Sequence, residues 1–314
     1  MRAAVIERYG EPPVVRDVAE PKPDSARLVQ VRVAPLNPVD ISIASGKFYA
    51  GSPPTPYVPG GEGIGNPIES GKPGPRVYFR AASPNGAMAE RAVTTGQSVP
   101  IPESVDDGVA AALGTPGIAA YLALTRRAQL QKDETVLVLA ASGVLGIIAV
   151  QAARLLGARR VIAGARDERG LARARDLGAD ATVDLKQADG LAERIRDAAR
   201  GQLQVVIDPL WGLPGVAALE ALSPQGRFIQ LGQSAGADAV VKSGTVRGRY
   251  LSILGYTSFQ VPWEEQAAAY RTLSDYASKG KIKVDYEVMP LDAAADAWKR
   301  QASSPHRKLV LAPK

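Results

Sequence analysis

Val136-Leu-Val-Leu-Ala-Ala-Ser-Gly-Val-Leu-Gly146 is the stretch of sequence that decides the fold. A short apolar run of strand length passes directly into a turn that contains glycine. Apolar residues then recur at helical spacing from Leu145 to Leu156, and Gly157 supplies a stop at the helix C-terminus. A strand, a glycine turn and a helix in this order are typical of the first unit of a dinucleotide-binding sheet.

Gly143 and Gly146 are the residues of this turn that a dinucleotide site requires. A diphosphate needs backbone N–H donors at a helix N-terminus, and side chains there would block its approach. The first glycine of the usual fingerprint is alanine here. We expect the cofactor contacts to come from Ser142, Gly143, Val144, Leu145 and Gly146. The alternative is a strand-to-helix turn that uses small residues only for close packing.

From about residue 113 onward, apolar runs of strand length alternate with helical stretches, which is the pattern of a parallel sheet covered by helices. Further strands of this sheet are predicted at Arg160–Ala163, Ala181–Asp184, Gln204–Asp208, Arg227–Leu231 and Tyr250–Leu254. The region before residue 113 is instead rich in Pro and Gly, with short β-patterned runs at Leu28–Val33 and Arg76–Arg80. The tail returns to a helical pattern over Trp263–Ser278 and a final strand over Lys308–Ala312.

These patterns predict an α/β protein with two domains, because 314 residues exceed what one hydrophobic core usually serves. A Rossmann domain with a doubly wound parallel sheet is expected over residues 113–261. An irregular, mostly β domain is expected from residues 1–112 together with residues 262–314.

The composition excludes several classes of function. The chain has no cysteine and a single histidine, His306, so the Cys/His ligand sets that hold zinc cannot be assembled. The net charge is +6, but Lys and Arg are scattered, which argues against a nucleic-acid interface. Charges within the first residues and the lack of a long uninterrupted apolar run predict neither a secretory signal nor a membrane span, and a cytoplasmic location is expected.

The end of the second predicted strand favours NADPH over NADH. An NAD-preferring domain carries an acidic residue about 20 residues beyond the glycines. Here the strand reaches Gly164 without one, and Arg166 and Arg169 follow, whose guanidinium groups suit a ribose 2′-phosphate. Asp167 and Glu168 lie between the two arginines, so an ordinary charged helix start is the alternative.

Gly232-Gln-Ser-Ala-Gly236 matches the nucleophile-elbow pattern of a serine hydrolase, and His306 follows it in the chain. The elbow requires a strand, a sharp turn and then a helix. The segment after Gly236 is short, contains β-branched residues and ends at Gly244, so it is not typical of that helix. We therefore interpret the segment as a loop after the fifth strand, in which Gly232 and Ser234 border the nicotinamide.

Segments along the whole chain match one family pattern: Met1–Val5, Pro35–Asp40, Ser45–Gly46, Pro59–Gly63, Ala112–Gly117, residues 136–157, Asp208–Gly212, Gly226–Ile229 and Lys308–Leu311. On these segments the chain resembles the medium-chain dehydrogenase/reductase superfamily and, within it, the zinc-independent quinone oxidoreductase branch. The resemblance implies that the β domain is GroES-like, that hydride comes from NADPH, and that a homodimer forms through the edge of the Rossmann sheet. Zinc-dependent relatives use a cysteine just after the segment that corresponds to Asn37–Asp40, and this chain has none.

The resemblance also implies positions for the site. Asn37 and Pro38 would lie near the nicotinamide, and Asp40 would fix their loop, although it serves equally well as a turn cap. The remaining expected cofactor contacts follow the fifth and sixth strands and are Leu231, Gly232, Gln233, Leu254 and Gly255.

The candidate catalytic residues are Asn37, Ser42 and Tyr49. Two tyrosines that many quinone reductases place after this loop correspond to Ser42 and Phe48, while Tyr49 is one position along, and Lys47 is a further proton donor to consider. Solvent is the alternative source of the proton. The stretch between Gly65 and Gly74 is shorter than in relatives, so we expect a more open pocket.

Without a Lewis acid, the chemistry that remains easy is hydride delivery to a quinone or to an α,β-unsaturated carbonyl compound, for which positioning and a donor to the developing negative oxygen suffice. We therefore expect an NADPH-dependent oxidoreductase that acts on such a small molecule. The rival is a non-catalytic NADPH-binding protein with a redox-responsive or structural role.

Overall fold

The computed structural model describes residues 1–22 and 28–313. The chain divides into two compact units. The barrel unit consists of Met1–Pro116, Trp263–Gly280 and Val284–Lys314, and the Rossmann unit consists of Gly117–Pro262 with Lys281–Lys283.

The elements are numbered along the chain. Up to Pro116 they are β1 (Arg2–Val5), β2 (Val14–Asp17), β3 (Leu28–Pro35), α1 (Pro38–Ala44), β4 (Glu62–Glu69), β5 (Lys72–Pro73), β6 (Val77–Ala81), β7 (Arg91–Pro100) and α2 (Asp107–Ala112). From Gly117 to Pro262 they are α3 (Ile118–Leu122), β8 (Thr135–Leu139), α4 (Val144–Leu155), β9 (Arg160–Ala165), α5 (Glu168–Asp176), β10 (Ala181–Asp184), α6 (Leu191–Ala198), β11 (Val205–Asp208), α7 (Gly212–Ala221), β12 (Arg227–Gln230), α8 (Ser243–Gly248) and β13 (Ser252–Gly255). The tail contains α9 (Trp263–Ser278), β14 (Tyr286–Pro290), α10 (Ala294–Ala302) and β15 (Lys308–Ala312).

Four strands of the barrel unit close into a ring. β3 pairs with both β4 and β7, β4 pairs with β6, and β6 pairs with β7, all antiparallel. β15 and β14 extend this sheet from the side of β3. The ring encloses a core of alternate apolar residues that includes Val29, Phe79 and Leu311. The mostly β domain predicted from the sequence is thus confirmed.

The shortened stretch between Gly65 and Gly74 forms a tight hairpin. β4 and β5 are joined by Ser70 and Gly71, whose φ angles are 53° and 78°. Positive φ at both central residues is what a two-residue hairpin turn needs, because its twist then matches that of the strands.

The Rossmann unit contains one parallel sheet with the strand order β10-β9-β8-β11-β12-β13. This order reverses beside β8, which is where open parallel sheets bind their ligands. All residues of β8 are buried, as expected for a strand covered on both faces. The predicted doubly wound sheet is confirmed, including its sixth strand, which pairs with β12 from Ser252 to Gly255.

The helical run from Asp107 to Arg127 is long and apolar enough to cross a membrane by length and composition. Its mean hydropathy is 1.4, and 72% of the window is buried inside the protein. A buried core helix of a water-soluble protein passes the same test, so this run is weak evidence for a membrane span.

Candidate functional site

The turn between β8 and α4 presents backbone N–H groups that have no hydrogen-bond partner among the described residues. The first hydrogen bond within α4 runs from the Ile147 N–H to the Gly143 carbonyl, at 2.9 Å. The N–H groups of Val144, Leu145 and Gly146 precede that bond and therefore have no partner within the helix. The first turn contains no acidic residue, and no side chain of the described residues caps it. These are the properties of a helix N-terminus that receives an anion.

The two glycines of this turn differ in their surroundings. A Cβ atom at Gly146 would lie 2.3 Å from the Ala140 carbonyl oxygen and 2.6 Å from the Ala141 Cα atom, so close packing of helix against strand requires glycine there. A Cβ atom at Gly143 would meet its nearest neighbour, the Ala140 oxygen, at an ordinary 3.4 Å. The protein itself therefore leaves room at Gly143, which suits a position that a ligand approaches.

The end of β9 lies against the same turn. The Ala141 N–H donates to the Gly164 carbonyl at 3.0 Å, and a Cβ atom at Gly170 would lie 2.2 Å from the Ser142 Cβ atom. The first turn of α5 thus packs directly on the glycine turn.

The two arginines at the start of α5 are available to a ligand. Asp167 caps α5 by accepting the Gly170 N–H at 2.7 Å. Arg166 and Arg169 are exposed, and neither forms an ion pair with a described residue. Asp167 therefore accounts for the helix start, while the two guanidinium groups remain available beside the glycine turn.

The end of β11 holds a strained turn that the sequence did not indicate. Asp208 is fully buried and accepts the N–H groups of Leu210, at 2.8 Å, and Trp211, at 3.0 Å. Burial raises the pKa of Asp208 to about 6, although the two N–H donors oppose that rise. Trp211 has φ 57° and ψ −153°, a region that normally only glycine occupies and that costs about 1–3 kcal/mol.

The loop after β12 runs alongside this turn. The Leu231 N–H donates to the Asp208 carbonyl at 2.8 Å, and a Cβ atom at Gly232 would lie 2.8 Å from the Pro209 oxygen. Gln233 follows on the exposed side. No helix starts at Ser234, because the next one begins at Ser243, so the nucleophile-elbow requirement is not met and the interpretation as a loop is confirmed.

Leu254 and Gly255 end β13 in the same sheet. The Gly255 carbonyl accepts a hydrogen bond from the Arg127 Nε atom at 2.8 Å. The ends of β8, β9, β11, β12 and β13 all lie at the carboxyl edge of one parallel sheet, where such folds bind nucleotides. The structure thus brings together the sequence-predicted cofactor residues of the Rossmann unit.

Asn37 lies in the barrel unit at the start of α1 and is nearly buried. Its Nδ2 atom donates to Glu62 Oε1 at 2.9 Å, and its Oδ1 atom accepts a hydrogen bond from Lys308 Nζ. Its backbone N–H donates to Asp40 Oδ2 at 2.8 Å, a capping-box contact that fits both the loop-fixing role and the turn cap considered for Asp40. The amide is therefore held by a cation on its oxygen and a carboxylate on its nitrogen.

Glu62 connects Asn37 to a second group of side chains. Its Oε2 atom accepts hydrogen bonds from the Tyr78 hydroxyl and the Thr115 N–H, both at 2.8 Å, and lies 3.8 Å from Arg80 Nη1. Tyr78 is fully buried, and burial, followed by the charge of Glu62, raises its pKa well above the usual value. The phenol therefore stays protonated and donates to the carboxylate.

Burial also shifts the charged groups around Asn37. It raises the pKa of Asp40 to about 6 and lowers the pKa of Lys308 to about 8, while Glu62 and Asp40 act in the opposite direction on Lys308. The rise in the pKa of Asp40 is opposed first by the hydrogen bond from the Asn37 N–H and then by the charge of Lys308, while the like charge of Glu62 adds to it.

The other predicted residues of the barrel unit are more exposed. Pro38 and Ser42 are exposed on α1, and Tyr49 is 76% exposed with its ring centroid 4.5 Å from that of Phe48. His306 is exposed in the loop before β15. Within this unit, the structure therefore surrounds Asn37 with buried polar groups and leaves Ser42 and Tyr49 at the surface.

Four residues of this polar cluster were missed from the sequence: Glu62, Tyr78, Arg80 and Lys308. Two of them carried a usable signal. Glu62 is an acid inside the glycine segment Pro59–Gly63, and Lys308 opens an otherwise apolar strand that is buried. Tyr78 and Arg80 carried no signal, because an aromatic and a cation in a short strand are ordinary.

Comparison with known proteins places these features in context. A family model described as zinc-binding dehydrogenase matches residues 144–275. The chain is 31% identical to the quinone oxidoreductases of Rattus norvegicus and Homo sapiens, in each case over 95% of this chain and 92% of the relative. Among solved structures, the quinone oxidoreductase of Pseudomonas syringae pv. Tomato DC3000 matches at 26% identity over 99% of each chain, with a TM-score of 0.87. That of Thermus thermophilus, solved alone and with NADPH, matches at 28% identity over 99% of this chain and all of its own, with a TM-score of 0.82.

Proposed function

Because the chain belongs to the medium-chain dehydrogenase/reductase superfamily, in its quinone oxidoreductase branch, we propose that this oxidoreductase uses NADPH, without zinc, to reduce a quinone or an α,β-unsaturated carbonyl compound. The observation that carries the proposal is the turn before α4, where unused N–H donors meet a glycine with room for a ligand. Bound NADPH would supply the hydride, and the protein would supply binding and orientation.

The Rossmann unit has the residues that such a cofactor needs. The N–H groups of Val144, Leu145 and Gly146 would bind the diphosphate, and Gly143 would allow it to approach. The loop from Leu231 to Gln233 would border the nicotinamide, held in place by its hydrogen bond to the strand end at Asp208.

The preference for NADPH over NADH rests on Arg166 and Arg169. Both are exposed beside the glycine turn, and Asp167 is engaged in capping the helix. A ribose 2′-phosphate would give these two guanidinium groups a bidentate acceptor, which no described residue supplies.

Asn37 is the residue of the barrel unit best prepared to orient a reacting group. Its amide oxygen is engaged by Lys308 and one amide hydrogen by Glu62, so its orientation is fixed. One amide hydrogen is left to donate to a carbonyl oxygen that gains negative charge. Ser42 and Tyr49 are exposed, so any proton that they donate would be replaced from solvent. We therefore assign solvent as the source of the proton that the reduced product takes up.

The zinc-free mechanism rests on composition. The chain contains no cysteine, and the described residues contain no group of three or more His, Cys, Asp or Glu side chains that could hold a metal ion. Quinones and conjugated carbonyl compounds are electrophilic enough to accept hydride from a well-positioned donor.

We also propose a homodimer through β13. This strand is the edge of the Rossmann sheet, with Ile253 on it 40% exposed and Tyr250 before it 81% exposed. An apolar edge strand that pairs with its copy would protect backbone groups that otherwise invite aggregation.

The proposal is tested by titrating the purified protein with NADPH and with NADH, and then following NADPH oxidation with a panel of quinones, enones and simple aldehydes. We expect selective binding of NADPH and turnover of quinones or enones. Tight NADPH binding without turnover of any acceptor would favour the non-catalytic role instead. Absence of NADPH binding would refute the assignment of the turn at Gly143.

A further inference from the structure

Asp208 is a buried carboxylate whose hydrogen bonds hold the backbone of the turn that follows it. The side chain is fully buried at the end of β11. Its Oδ1 atom accepts the Leu210 N–H at 2.8 Å and the Trp211 N–H at 3.0 Å, and Oδ2 also accepts the Trp211 N–H at 3.0 Å. Burial is the largest influence on its raised pKa, and no charged group of the described residues contributes to the shift. Burying a carboxylate without a cation costs free energy, which the two N–H donors offset only in part.

The turn that Asp208 holds is strained. Trp211 has φ 57° and ψ −153°, backbone angles that favour glycine, and Gly212 follows with φ 58°. Since the Trp211 N–H donates to Asp208, the buried carboxylate holds the very residue that carries the strain. Two costly features therefore occur together in one short segment. Strained backbone of this kind clusters at functional sites, where the surrounding structure maintains a particular geometry.

This turn is bonded to the loop that follows β12. The Leu231 N–H donates to the Asp208 carbonyl at 2.8 Å, and the Ala235 N–H donates to the Leu210 carbonyl at 2.8 Å. A Cβ atom at Gly212 would lie 2.8 Å from the Ala235 oxygen, so the two segments also approach each other closely there. The turn thus contacts the loop near both of its ends.

The loop from Leu231 to Gln233 is the segment that the proposed function places beside the nicotinamide. It belongs to no helix or strand, and Gln233 is exposed. Its position therefore depends on its contacts with the turn, and the conformation of the turn depends on the carboxylate of Asp208. All of these residues lie in the Rossmann unit.

We propose that Asp208 is a positioning residue for hydride transfer: its carboxylate holds the strained turn at Trp211, and this turn fixes the loop from Leu231 to Gln233 beside the nicotinamide of NADPH. The inference rests on the proposed function for the identity of the cofactor. Its effect on the loop itself requires no cofactor and is measured separately.

The first test is hydrogen exchange of the intact protein without cofactor. In Asp208→Ala the N–H groups of Leu210 and Trp211 lose their acceptor, so the amides of residues 231–235 should exchange faster by about tenfold or more. Asp208→Asn keeps Oδ1, the oxygen that accepts both N–H groups, and exchange should stay within about threefold of that in the unsubstituted protein. Unchanged exchange of the loop in Asp208→Ala would overturn the proposal, and so would an asparagine variant as impaired as the alanine variant.

The second test separates binding of NADPH from its reaction with a quinone. In Asp208→Ala, kcat per NADPH-binding site should fall about 10- to 100-fold, because displacement of a reacting group by about 1 Å has an effect of this size. Kd for NADPH should rise by less than about threefold, since the phosphates would be held at the starts of α4 and α5. Counting binding sites removes the contribution of unfolded protein, so a merely structural role would leave kcat per site unchanged. That result would refute the inference.

Asp184→Ala is the matched control. Asp184 ends β10 of the same sheet and accepts the Lys186 N–H at 2.8 Å, which is the same kind of hydrogen bond as that from Leu210 to Asp208. It is exposed, however, and β10 is the strand at the opposite edge of the sheet from β13. Its kcat per site should match that of the unsubstituted protein. An equal fall in both variants would contradict a specific role for Asp208.

Gly212→Ala provides a second variant in case Asp208→Ala does not fold. Its methyl group would lie 2.8 Å from the Ala235 oxygen and would push the loop away from the turn while Asp208 stays in place. We expect kcat per site to fall by about tenfold or more, and an unchanged value would overturn the proposal. Failure of the unsubstituted protein to bind NADPH would instead refute the proposed function. Turnover that is intact in the unsubstituted protein and in Asp208→Ala alike would refute this inference alone.

Discussion

Substitution of Gly146, within α4, should lower the stability of the fold. Substitution of Gly143, just before α4, should instead lower the affinity for the cofactor. In Gly146→Ala the new methyl group would lie 2.3 Å from the Ala140 oxygen and 2.6 Å from the Ala141 Cα atom. Both neighbours are backbone atoms, so the helix has to move away from the strand. Overpacking of this kind costs about 1–3 kcal/mol. For a domain of this size, that cost corresponds to a fall in Tm of roughly 2–12 °C.

Gly143→Ala should leave the fold intact. The methyl group would meet its nearest protein atom at 3.4 Å, and the φ angle of −86° suits alanine. Stability should therefore change by less than about 0.5 kcal/mol, and lower entropy of the unfolded chain favours a small gain. NADPH affinity should nevertheless fall by about tenfold or more, because the methyl group occupies the space through which the diphosphate reaches the N–H donors.

The assays are thermal unfolding by circular dichroism and fluorescence titration with NADPH. Gly244→Ala is the control, since a Cβ atom there meets nothing within 4 Å and the residue lies in α8 rather than in the turn or in α4. Affinity for NADPH that is unchanged in Gly143→Ala would refute the cofactor site. An unchanged Tm in Gly146→Ala would refute the packing argument for that position.

Four further outcomes are expected. Replacing both Arg166 and Arg169 by alanine should lower the affinity for NADPH by about tenfold or more and leave the affinity for NADH nearly unchanged, since only NADPH carries the 2′-phosphate. Equal losses of affinity in the two titrations would contradict the assignment. Tyr57→Phe should not lower the free energy of unfolding in urea, because the buried Tyr57 hydroxyl has no hydrogen-bond partner among the described residues; a loss above about 1 kcal/mol would reveal a partner. Burial raises the pKa of Asp40 to about 6. The folded state therefore holds a proton that the unfolded state releases, and stability should fall as pH rises from about 4 to 6; Asp40→Asn should reduce that fall by up to about 3 kcal/mol in urea titrations at a series of pH values. Chelators should leave activity unchanged, and a loss that added zinc reverses would disprove the metal-free mechanism.

The sequence predicted most directly the strands whose residues are buried. The apolar runs of β8, β9, β11 and β15 were found because a strand covered on both faces leaves an unbroken apolar pattern, whereas β13 was found from its apolar residues although most of it is exposed. β14 was missed although apolar and charged residues alternate from Ile282 to Val288, which is a strand pattern. It is an edge strand that pairs only with β15 among the described strands, and the apolar Tyr286 and Val288 are exposed while Glu287 forms ion pairs.

The glycine turn could be located from the sequence because its requirements are local. The strained conformation of Trp211 could not be located in this way, because tryptophan has the largest side chain and its backbone angles here are ones that favour glycine. Its conformation depends on Asp208, which accepts its N–H, and on the packing of its ring against Phe228, with centroids 6.0 Å apart. Local preference here is overridden by tertiary contacts, which a pattern of residue types does not contain.

The polar cluster around Asn37 depends on contacts between residues far apart in the chain, since Lys308 and Asn37 are separated by 271 positions. Burial of Lys308, Asp40 and Glu62 is costly, and apolar residues of similar volume in such places are often equally stable or more stable. Stability alone therefore does not explain this arrangement, which does fix the orientation of one amide. Lys308 on Oδ1 and Glu62 on Nδ2 make the flipped amide unfavourable, because it would place donor against donor and acceptor against acceptor. The two charges thus fix the position of Nδ2, the atom that has one N–H still free to donate. We expect removal of either charge to let the amide adopt both orientations while the barrel unit stays folded.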